Sequence, residues 1–207
     1  MIAVIDYGIG NVFSLLCSLR ALGQDVVFTS DKEIIRNADK IILPGVGAFE
    51  DAAKLLETTG MGELVKEEAA KGKPLMGICL GMQLLFDRSF EYGEHKGLGL
   101  IPGDVVAMKG AVDPELKVPQ MGWNALHFTG LPCPAFEGIK DRDHVYFVHS
   151  FYATNCSANT VCDVEYSIPI TAAVCKDNVM GCQFHPEKSG DIGLKILKNF
   201  CEMEVTA

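Results

Sequence analysis

One of the eight cysteines in this sequence differs from the others in its surroundings. Cys79 follows an apolar run at residues 74–78, has Gly77 and Gly81 two positions away on either side, and precedes a helix-forming stretch. This spacing is typical of a nucleophile elbow, a sharp strand-to-helix turn that needs small neighbours and lifts the nucleophile above the sheet edge. Amide groups at the start of the helix would favour a thiolate there. The alternative is a buried structural cysteine at a strand end.

A thiolate of this kind needs a base, and His185 is the histidine with an obvious orienting acid. Pro186 restricts the backbone after it, so that Glu187 can turn back to the imidazole. A carboxylate on one ring nitrogen sets the tautomer and leaves the other nitrogen to face a thiol. Cys79, His185 and Glu187 would form a triad suited to acyl transfer through a thioester. A surface or capping role for His185 fits the local pattern equally well.

Acyl transfer also needs donors for an oxyanion, and the segment from Pro44 to Gly47 offers them. Its two glycines permit a close approach of the backbone. An amide of Val46 or Gly47, together with the amide of Leu80 after the nucleophile, would bind the oxyanion. A plain tight turn accounts for this segment just as well.

The elements that must position these residues alternate between strand and helix in the first half. Patterns of apolar residues predict strands at 2–6, 26–29, 40–43 and 74–79, and helices at 11–22, 50–57 and 62–70. Strands separated by helices imply a parallel sheet covered on both faces. Cys79 and His185, each at the end of a predicted strand, would then meet at one edge of the sheet.

The second half is predicted to be mostly β. Strands are expected at 104–108, 123–128, 144–149, 161–166, 170–176 and 179–184, followed by one last helix at 189–203. Asp177 and Asn178 are expected to form a hairpin turn between the last two strands. Since no repeat or linker interrupts the pattern, we expect a single domain at 1–207.

Composition restricts the class of protein. A net charge of −9 disfavours nucleic acid and anionic membranes as partners, and neither a signal sequence nor a spanning apolar run is visible. The cysteines form no CxxC pair and have no histidines at zinc-finger spacing, so we expect neither a metal nor an organic cofactor. These features favour a cytoplasmic protein whose cysteines stay reduced.

Two longer motifs resemble those of a known family. Residues 77–83 (GICLGMQ) and 183–189 (QFHPEKS) are similar to the nucleophile and His-x-Glu motifs of class I glutamine amidotransferases, which release ammonia from glutamine. Residues 6–11, 44–47, 119–124 and 146–150 narrow the resemblance to the glutaminase subunits of imidazole glycerol phosphate synthases. It covers essentially the whole chain. It implies a three-layer, flavodoxin-like α/β fold with a mostly parallel central sheet flanked by helices and antiparallel strands added in the second half.

The resemblance also implies roles for particular residues. Cys79 would be the nucleophile, His185 the general base and acid, and Glu187 its orienting partner. The residues implied to bind glutamine are Gly47, Gln83, His149, Ser150 and Phe151.

A partner chain is implied as well. Ammonia would pass to a (β/α)₈-barrel cyclase in a heterodimer, giving imidazole glycerol phosphate and aminoimidazole carboxamide ribotide in histidine biosynthesis. The residues implied to face the cyclase are Asn11, Gln120, Met121, Trp123, Asn124 and Lys188. Packing in the core is the alternative role for Trp123.

Two other functions remain open at this point. The chain could be a paralogue that supplies ammonia to a surface-sugar amidation pathway. It could also be a non-catalytic protein of the same fold in which Cys79 is an oxidation switch.

Overall fold

The computed structural model of the chain describes residues 1–9 and 12–204. Within them lie the helices α1 (Phe13–Ala21), α2 (Lys32–Asn37), α3 (Phe49–Thr59), α4 (Met61–Ala70), α5 (Leu80–Leu84) and α6 (Gly190–Glu202). The strands of the first half are β1 (Ile2–Ile5), β2 (Val26–Thr29), β3 (Lys40–Leu43), β4 (Leu75–Ile78), β5 (Arg88–Ser89) and β6 (His95–Lys96). Those of the second half are β7 (Asp104–Ala107), β8 (Gln120–Ala125), β9 (His127–Phe128), β10 (His144–His149), β11 (Phe151–Thr154), β12 (Thr160–Glu165), β13 (Pro169–Lys176) and β14 (Val179–Cys182).

A central sheet runs in the order β2-β1-β3-β4-β14-β13-β12-β9. The pairs from β2 to β14 are parallel, and the pairs from β14 to β9 are antiparallel. The parallel strands β4 and β14 are neighbours, with Cys182 opposite Ile78. Residues that follow these two strands therefore meet at one edge of the sheet, where α/β folds usually bind ligands.

Side-chain alternation along the buried strands gives the fold its layers. Ile2 and Val4 of β1 pack in a cluster with residues of α1 and α6, whereas Ala3 and Ile5 pack in a second cluster with residues of α2, α3 and α4. Successive side chains of a strand point to opposite faces, so the sheet has an apolar core on each side. The predicted three-layer arrangement, a mostly parallel sheet flanked by helices, is confirmed.

Two smaller sheets are built from the remaining strands. β8 and β10 form an antiparallel pair in which Tyr146 lies opposite Trp123 and His149 opposite Gln120. The other sheet has the order β11-β7-β5-β6. The end of β10 and the start of β11 lie on either side of Ser150, so the two smaller sheets meet at the segment implied to bind glutamine.

The predicted strand at 123–128 is wrong as a single element. The structure divides this segment at Leu126 into β8, which pairs with β10, and β9, which joins the central sheet. Leu126 is fully buried, and its backbone is bonded to the 142–143 turn through Leu126 N–H to Asp143 O and Arg142 N–H to Leu126 O. The chain therefore changes sheets at a core residue, which a continuous apolar pattern does not show.

One short helix and three short strands were absent from the sequence prediction, whereas the hairpin turn was predicted correctly. Helix α2 was missed although Asp31 caps it, accepting bonds from Glu33 N–H and Ile34 N–H at 2.8 and 3.3 Å. Strands β5, β6 and β11 were missed too, and β14 ends at Cys182 rather than at residue 184. The hairpin turn is confirmed, because Asp177 has a φ of +53° and Lys176 pairs with Val179.

All eight cysteines are free thiols, and only Cys17 is exposed. Among the described residues, no helix combines the length and the apolar character needed to cross a bilayer.

Candidate active site

The turn at Cys79 has the conformation that its glycine neighbours predict. Cys79 lies between β4 and α5 with φ +55° and ψ −113°, a left-handed conformation that is strained for a residue with a side chain. A Cβ atom at Gly77 would lie 2.6 Å from the carbonyl oxygen of Gly81, and one at Gly81 would overlap the carbonyl oxygen of Leu43. Both flanking positions therefore need glycine because backbone atoms occupy the space of a side chain.

His185 lies shortly after β14, beyond Gln183 and Phe184, and lines the same cleft as Cys79. Its Nδ1–H donates to Glu187 Oε1 at 2.8 Å, and both side chains are buried. Because this carboxylate oxygen only accepts, Nδ1 carries the proton of this bond and Nε2 is left to interact with Cys79. The backbone is fixed as well, since His185 N–H donates to Tyr146 O at 3.0 Å. The structure thus brings Cys79, His185 and Glu187 together in the order that acyl transfer requires.

The charge state of His185 follows from these contacts. Burial opposes the imidazolium form, but the hydrogen bonds and charges of Cys79 and Glu187 outweigh it and raise the pKa of His185 to about 9. The folded-state pKa lies above the ordinary value of 6.5. The interaction therefore stabilises the fold fully below about pH 6.5, and this contribution is lost as the pH rises through about 9.

Replacing Glu187 with glutamine is expected to lower the pKa of His185 by at least about one unit, because the imidazolium loses its carboxylate partner. Titration of the His185 ring proton by NMR measures this directly. The variant should also be less stable than the wild type below pH 6.5, by about 1.4 kcal/mol for each unit by which the pKa falls, and the difference should narrow towards pH 9. Glu165→Gln, at the exposed end of β12, serves as the control. An unchanged pKa in Glu187→Gln would show that the pair is not coupled.

The glycine-containing loop at 44–47 packs directly on the nucleophile turn. A Cβ atom at Gly45 would lie 2.9 Å from Gly81 N and 2.9 Å from the hydroxyl of Tyr7. Tyr7 donates this hydroxyl to Pro44 O at 2.8 Å. Burial, and then the nearby Cys79, raise the pKa of Tyr7, so the hydroxyl stays protonated as a donor. Gly47 has φ +102° with open space around it, so its backbone borders the cleft.

A cleft of about 430 Å³ joins these residues. The sequence-predicted residues that line it are Val46, Gly47, Cys79, Leu80, Gln83, His149, Ser150, Phe151 and His185. The amide of Leu80, the first residue of α5, has no partner within its own helix and is available to an oxyanion. Every residue predicted for the oxyanion hole or for glutamine binding therefore borders one cleft, which also contains the thiol.

His149 is held in the neutral form in this cleft. Its Nδ1–H donates to Phe151 O at 2.8 Å, and Nε2 is buried without a hydrogen-bond partner among the residues that the structure describes. The pKa of His149 is lowered to about 4, mainly by burial. The hydrogen bond to Phe151 O raises the pKa, whereas the charge of His185 lowers it further. His149 therefore offers an acceptor nitrogen, whereas His185 carries the proton.

Three cleft or near-cleft residues were missed in the sequence. Glu91 lines the cleft, and its Oε2 accepts the amide of Phe49 at the start of α3 at 2.8 Å. Tyr92 lines it too and stacks edge-on against Phe151, with ring centroids 6.0 Å apart. Gln183 is buried beside Cys79. Glu91 and Tyr92 reach the site on a loop whose sequence has no motif, so no local signal pointed to them.

The residues implied to face a partner are not all on the surface. In β8, Met121 is 64% exposed and Trp123 is 52% exposed, whereas Gln120 is fully buried and donates to Asn124 Oδ1 at 2.9 Å. Side chains alternate along a strand, so Gln120 and Asn124 lie on the face opposite to Met121 and Trp123. The Gln120 side chain is therefore absent from the surface that Met121 and Trp123 form, and its implied role at the interface stays a prediction. Core packing is excluded for the half-exposed Trp123.

Two further residues complete this set. Lys188 is exposed, and Asn11 lies outside the described residues. In residues 1–9 and 12–204, no group of three or more His, Cys, Asp or Glu side chains is arranged to hold a metal ion.

Comparison with known proteins identifies the family. The profile of the family described as "Glutamine amidotransferase class-I" matches residues 3–203. The chain belongs to the class-I glutamine amidotransferase family. Among curated class-I amidotransferases, the chain is 51% identical over 205 residues to the imidazole glycerol phosphate synthase subunit HisH of Caldanaerobacter subterraneus subsp. tengcongensis, with 98% of each chain covered. It is 49% identical to the protein of the same name from Bacillus cereus strain G9842, covering 97% of this chain and 93% of that one.

Solved structures share the amidotransferase fold at lower sequence identity. The PurLQS structure from Thermotoga maritima contains a chain that superposes with a TM-score of 0.74 at 20% identity, covering 96% of both chains. A structure described as a glutamine amidotransferase superposes with a TM-score of 0.73 at 19% identity, covering 96% of this chain and 98% of that one.

Proposed function

We propose that this chain is the glutaminase subunit of an imidazole glycerol phosphate synthase and supplies ammonia for histidine biosynthesis. The observation that carries the proposal is the cleft that Cys79 and His185 line together, with His185 hydrogen-bonded to Glu187 behind it. The full-length similarity to subunits of that name supports the choice of pathway. The family match over residues 3–203 supports a single amidotransferase domain, and the eight free thiols are consistent with a reducing cytoplasm.

The cleft has polar groups suited to each end of glutamine. The side-chain amide would lie over Cys79, with its carbonyl oxygen towards the amides of Leu80 and the 46–47 segment. The buried carboxylate of Glu91 is suited to the α-ammonium group, and the backbone around Ser150 to the amino-acid end. In this pose the reacting carbon lies between the nucleophile and the donors for the oxyanion.

The chemistry then proceeds in two steps. The Cys79 thiolate attacks the amide carbon, and an S–C bond forms as the negative charge moves to the oxygen. His185 Nε2–H protonates the departing nitrogen, the C–N bond breaks, and ammonia leaves a γ-glutamyl thioester. Water next attacks the thioester while His185 takes its proton, and the S–C bond breaks to release glutamate and the thiolate.

An exposed apolar face on the β8/β10 sheet is suited to the cyclase. Met121 and Trp123 lie on this face with Val148 and Tyr146, and the rings of Trp123 and Tyr146 stack edge to face at 6.1 Å. Tyr146 also accepts the backbone N–H of His185 through its carbonyl. Ammonia would be protonated if it escaped into water, so docking of the acceptor enzyme beside the cleft has a chemical purpose. We propose a (β/α)₈-barrel cyclase as the partner in a heterodimer, with the exposed Lys188 near the contact.

The only tryptophan of the chain should report this docking. We expect the fluorescence of Trp123 to shift to shorter wavelength when the cyclase binds, because a half-exposed indole becomes buried. Trp123→Ala should weaken the complex about 30-fold, the value for loss of roughly 2 kcal/mol at an interface anchor. Phe28→Ala, on the edge strand β2, is the control and should bind normally. If the wild-type spectrum did not change when the cyclase binds, and if Trp123→Ala bound with unchanged affinity, the contact would lie elsewhere.

The experiment that tests the proposed pathway is a coupled assay with the cyclase. The complex should form imidazole glycerol phosphate from glutamine at a rate comparable to that with excess ammonia. The opposite outcome is that the chain alone hydrolyses glutamine but the mixture forms imidazole glycerol phosphate only from added ammonia. This outcome would favour the paralogue of a surface-sugar pathway.

A further inference from the structure

A buried carboxamide lies beside the sulfur of Cys79, and the mechanism above does not use it. Gln183 is fully buried, and its Nε2–H donates to Cys79 Sγ at 3.7 Å. Its Oε1 accepts a bond from Gln83 Nε2 at 2.8 Å. Gln183 N–H also donates to Ala172 O at 2.8 Å, which fixes the backbone against β13. Both ends of the side chain are therefore paired, one of them to the nucleophile.

The direction of these hydrogen bonds is set by a group that can only accept. Gln83 Nε2 donates to Phe151 O at 3.1 Å as well as to Gln183. Because Phe151 O is a backbone carbonyl, the nitrogen end of Gln83 must face it, and its second N–H is then left for Gln183 Oε1. The NH₂ group of Gln183 is turned towards sulfur as a consequence. The carboxamide relay, defined as Phe151 O, Gln83 and Gln183, thus presents an N–H donor to Cys79.

A donor directed at sulfur discriminates between the forms of the nucleophile. A thiolate accepts a hydrogen bond strongly, whereas a thiol accepts only weakly. The titratable groups that face Cys79 come from several elements: Tyr7 from the loop after β1, Cys182 from β14, and His185 after β14. Glu91 and His149 line the same cleft, and Glu187 contacts His185. Among these neighbours, His185 supplies the positive charge and Gln183 a neutral donor on the β14 side.

We propose that Gln183 is a positioning residue that holds the Cys79 sulfur by donating to its thiolate, with its orientation imposed by Gln83 through the relay. The inference deepens the proposed glutaminase function and rests on it. A charge-assisted hydrogen bond of this kind orients the sulfur towards the substrate carbon and is stronger to a thiolate than to a thiol.

The test is the pH profile of Cys79 alkylation by iodoacetamide in the full-length chain, read by mass spectrometry of the Cys79 peptide. Gln183→Glu and Gln183→Met keep the length of the side chain but direct no N–H at sulfur. In both, the pH of half-maximal alkylation should rise by about one unit, and the rate at pH 7 should fall about tenfold, as expected for losing a hydrogen bond to a charged group. The exposed Cys17 is the internal reference, and its profile should not move.

Activity gives the second readout. With the cyclase bound, both variants should lose about tenfold in kcat for glutamine with less than a threefold change in KM, because the sulfur rather than the substrate contact is altered. Thr160→Val is the matched control. Thr160 begins β12, two strands away from β14, and the substitution removes a buried hydroxyl that donates to Cys156 O. It should leave both profiles unchanged.

The outcomes separate this inference from the proposed function. If wild-type chain releases ammonia from glutamine and both Gln183 variants keep the wild-type alkylation profile and kcat, the positioning role is wrong and the glutaminase stands. If the wild type itself neither releases ammonia with the cyclase nor alkylates at Cys79 ahead of Cys17, the proposed function fails first. If circular dichroism shows that Gln183→Glu does not fold, the result for Gln183→Met decides whether Gln183 positions the sulfur. Gln83→Met tests the relay: if Gln83 sets the orientation of Gln183, this variant should show the same rise in the pH of half-maximal alkylation.

Discussion

Cys79→Ser is expected to lower the release of ammonia from glutamine by at least about a thousandfold, while the complex with the cyclase keeps its ammonia-dependent synthesis. The hydroxyl of serine is a much weaker acid than a thiol, so His185 would face a neutral nucleophile. The fold should persist, because the replacement is smaller and the flanking glycines keep the turn. Steady-state assays with glutamine and with ammonium salts, on the same preparation of the complex, measure the two activities.

The matched control for this prediction is another buried cysteine. Cys156 Sγ lies 3.6 Å from Thr160 Oγ1 and 3.7 Å from Thr171 Oγ1, so a serine hydroxyl there would have polar neighbours. Cys156→Ser should therefore retain full use of glutamine. Normal glutamine turnover in Cys79→Ser would show that the nucleophile has been assigned to the wrong residue.

Gly81→Ala is expected to destabilise the protein by about 4 kcal/mol or more, or to prevent folding, because the new methyl group would overlap the carbonyl oxygen of Leu43. The obstacle is the backbone of β3, which cannot rotate away as a side chain can. Any relief would move the turn that carries Cys79, so residual folded protein should also have lost most of its glutaminase activity. Urea denaturation followed by circular dichroism gives the change in stability.

Gly62→Ala is the control for this substitution. Gly62 lies inside α4, where an added Cβ would approach Leu98 Cδ2, the end of a flexible side chain, at 3.3 Å. Alanine is the better helix former by about 1 kcal/mol, so this variant should be unchanged or slightly more stable. Equal stability of the two variants would mean that the nucleophile turn is not as tightly packed as described.

The part of the site that is local in sequence was predictable. The elbow at Cys79 needs small residues two positions away on either side, and Glu187 lies two residues beyond His185, so both patterns stand in the sequence. Their meeting also followed from sequence, because β4 and β14 end at the same edge of a parallel sheet.

The rest of the site depends on contacts between distant segments. The amide of Gln183 reaches Cys79 across 104 positions, and Gln83 reaches Phe151 across 68 positions. No periodicity or motif predicts a contact between segments so far apart. Glu91 was missed because it enters the cleft from a loop without a motif. The division of residues 123–128 at Leu126 was missed for a related reason. A buried apolar residue gives the same sequence pattern whether it lies within one strand or between two sheets.

Labelling by an electrophilic glutamine analogue tests the central claim most directly, namely that Cys79 is the glutaminase nucleophile. With the cyclase present, one adduct per chain should form on Cys79 and on none of the other seven cysteines, as located by peptide mass spectrometry. Excess glutamine should block it, and His185→Ala should slow it strongly. An adduct on a different cysteine, or one on Cys79 that glutamine does not block, would contradict the assignment and would return Cys79 to the role of an oxidation-sensitive thiol.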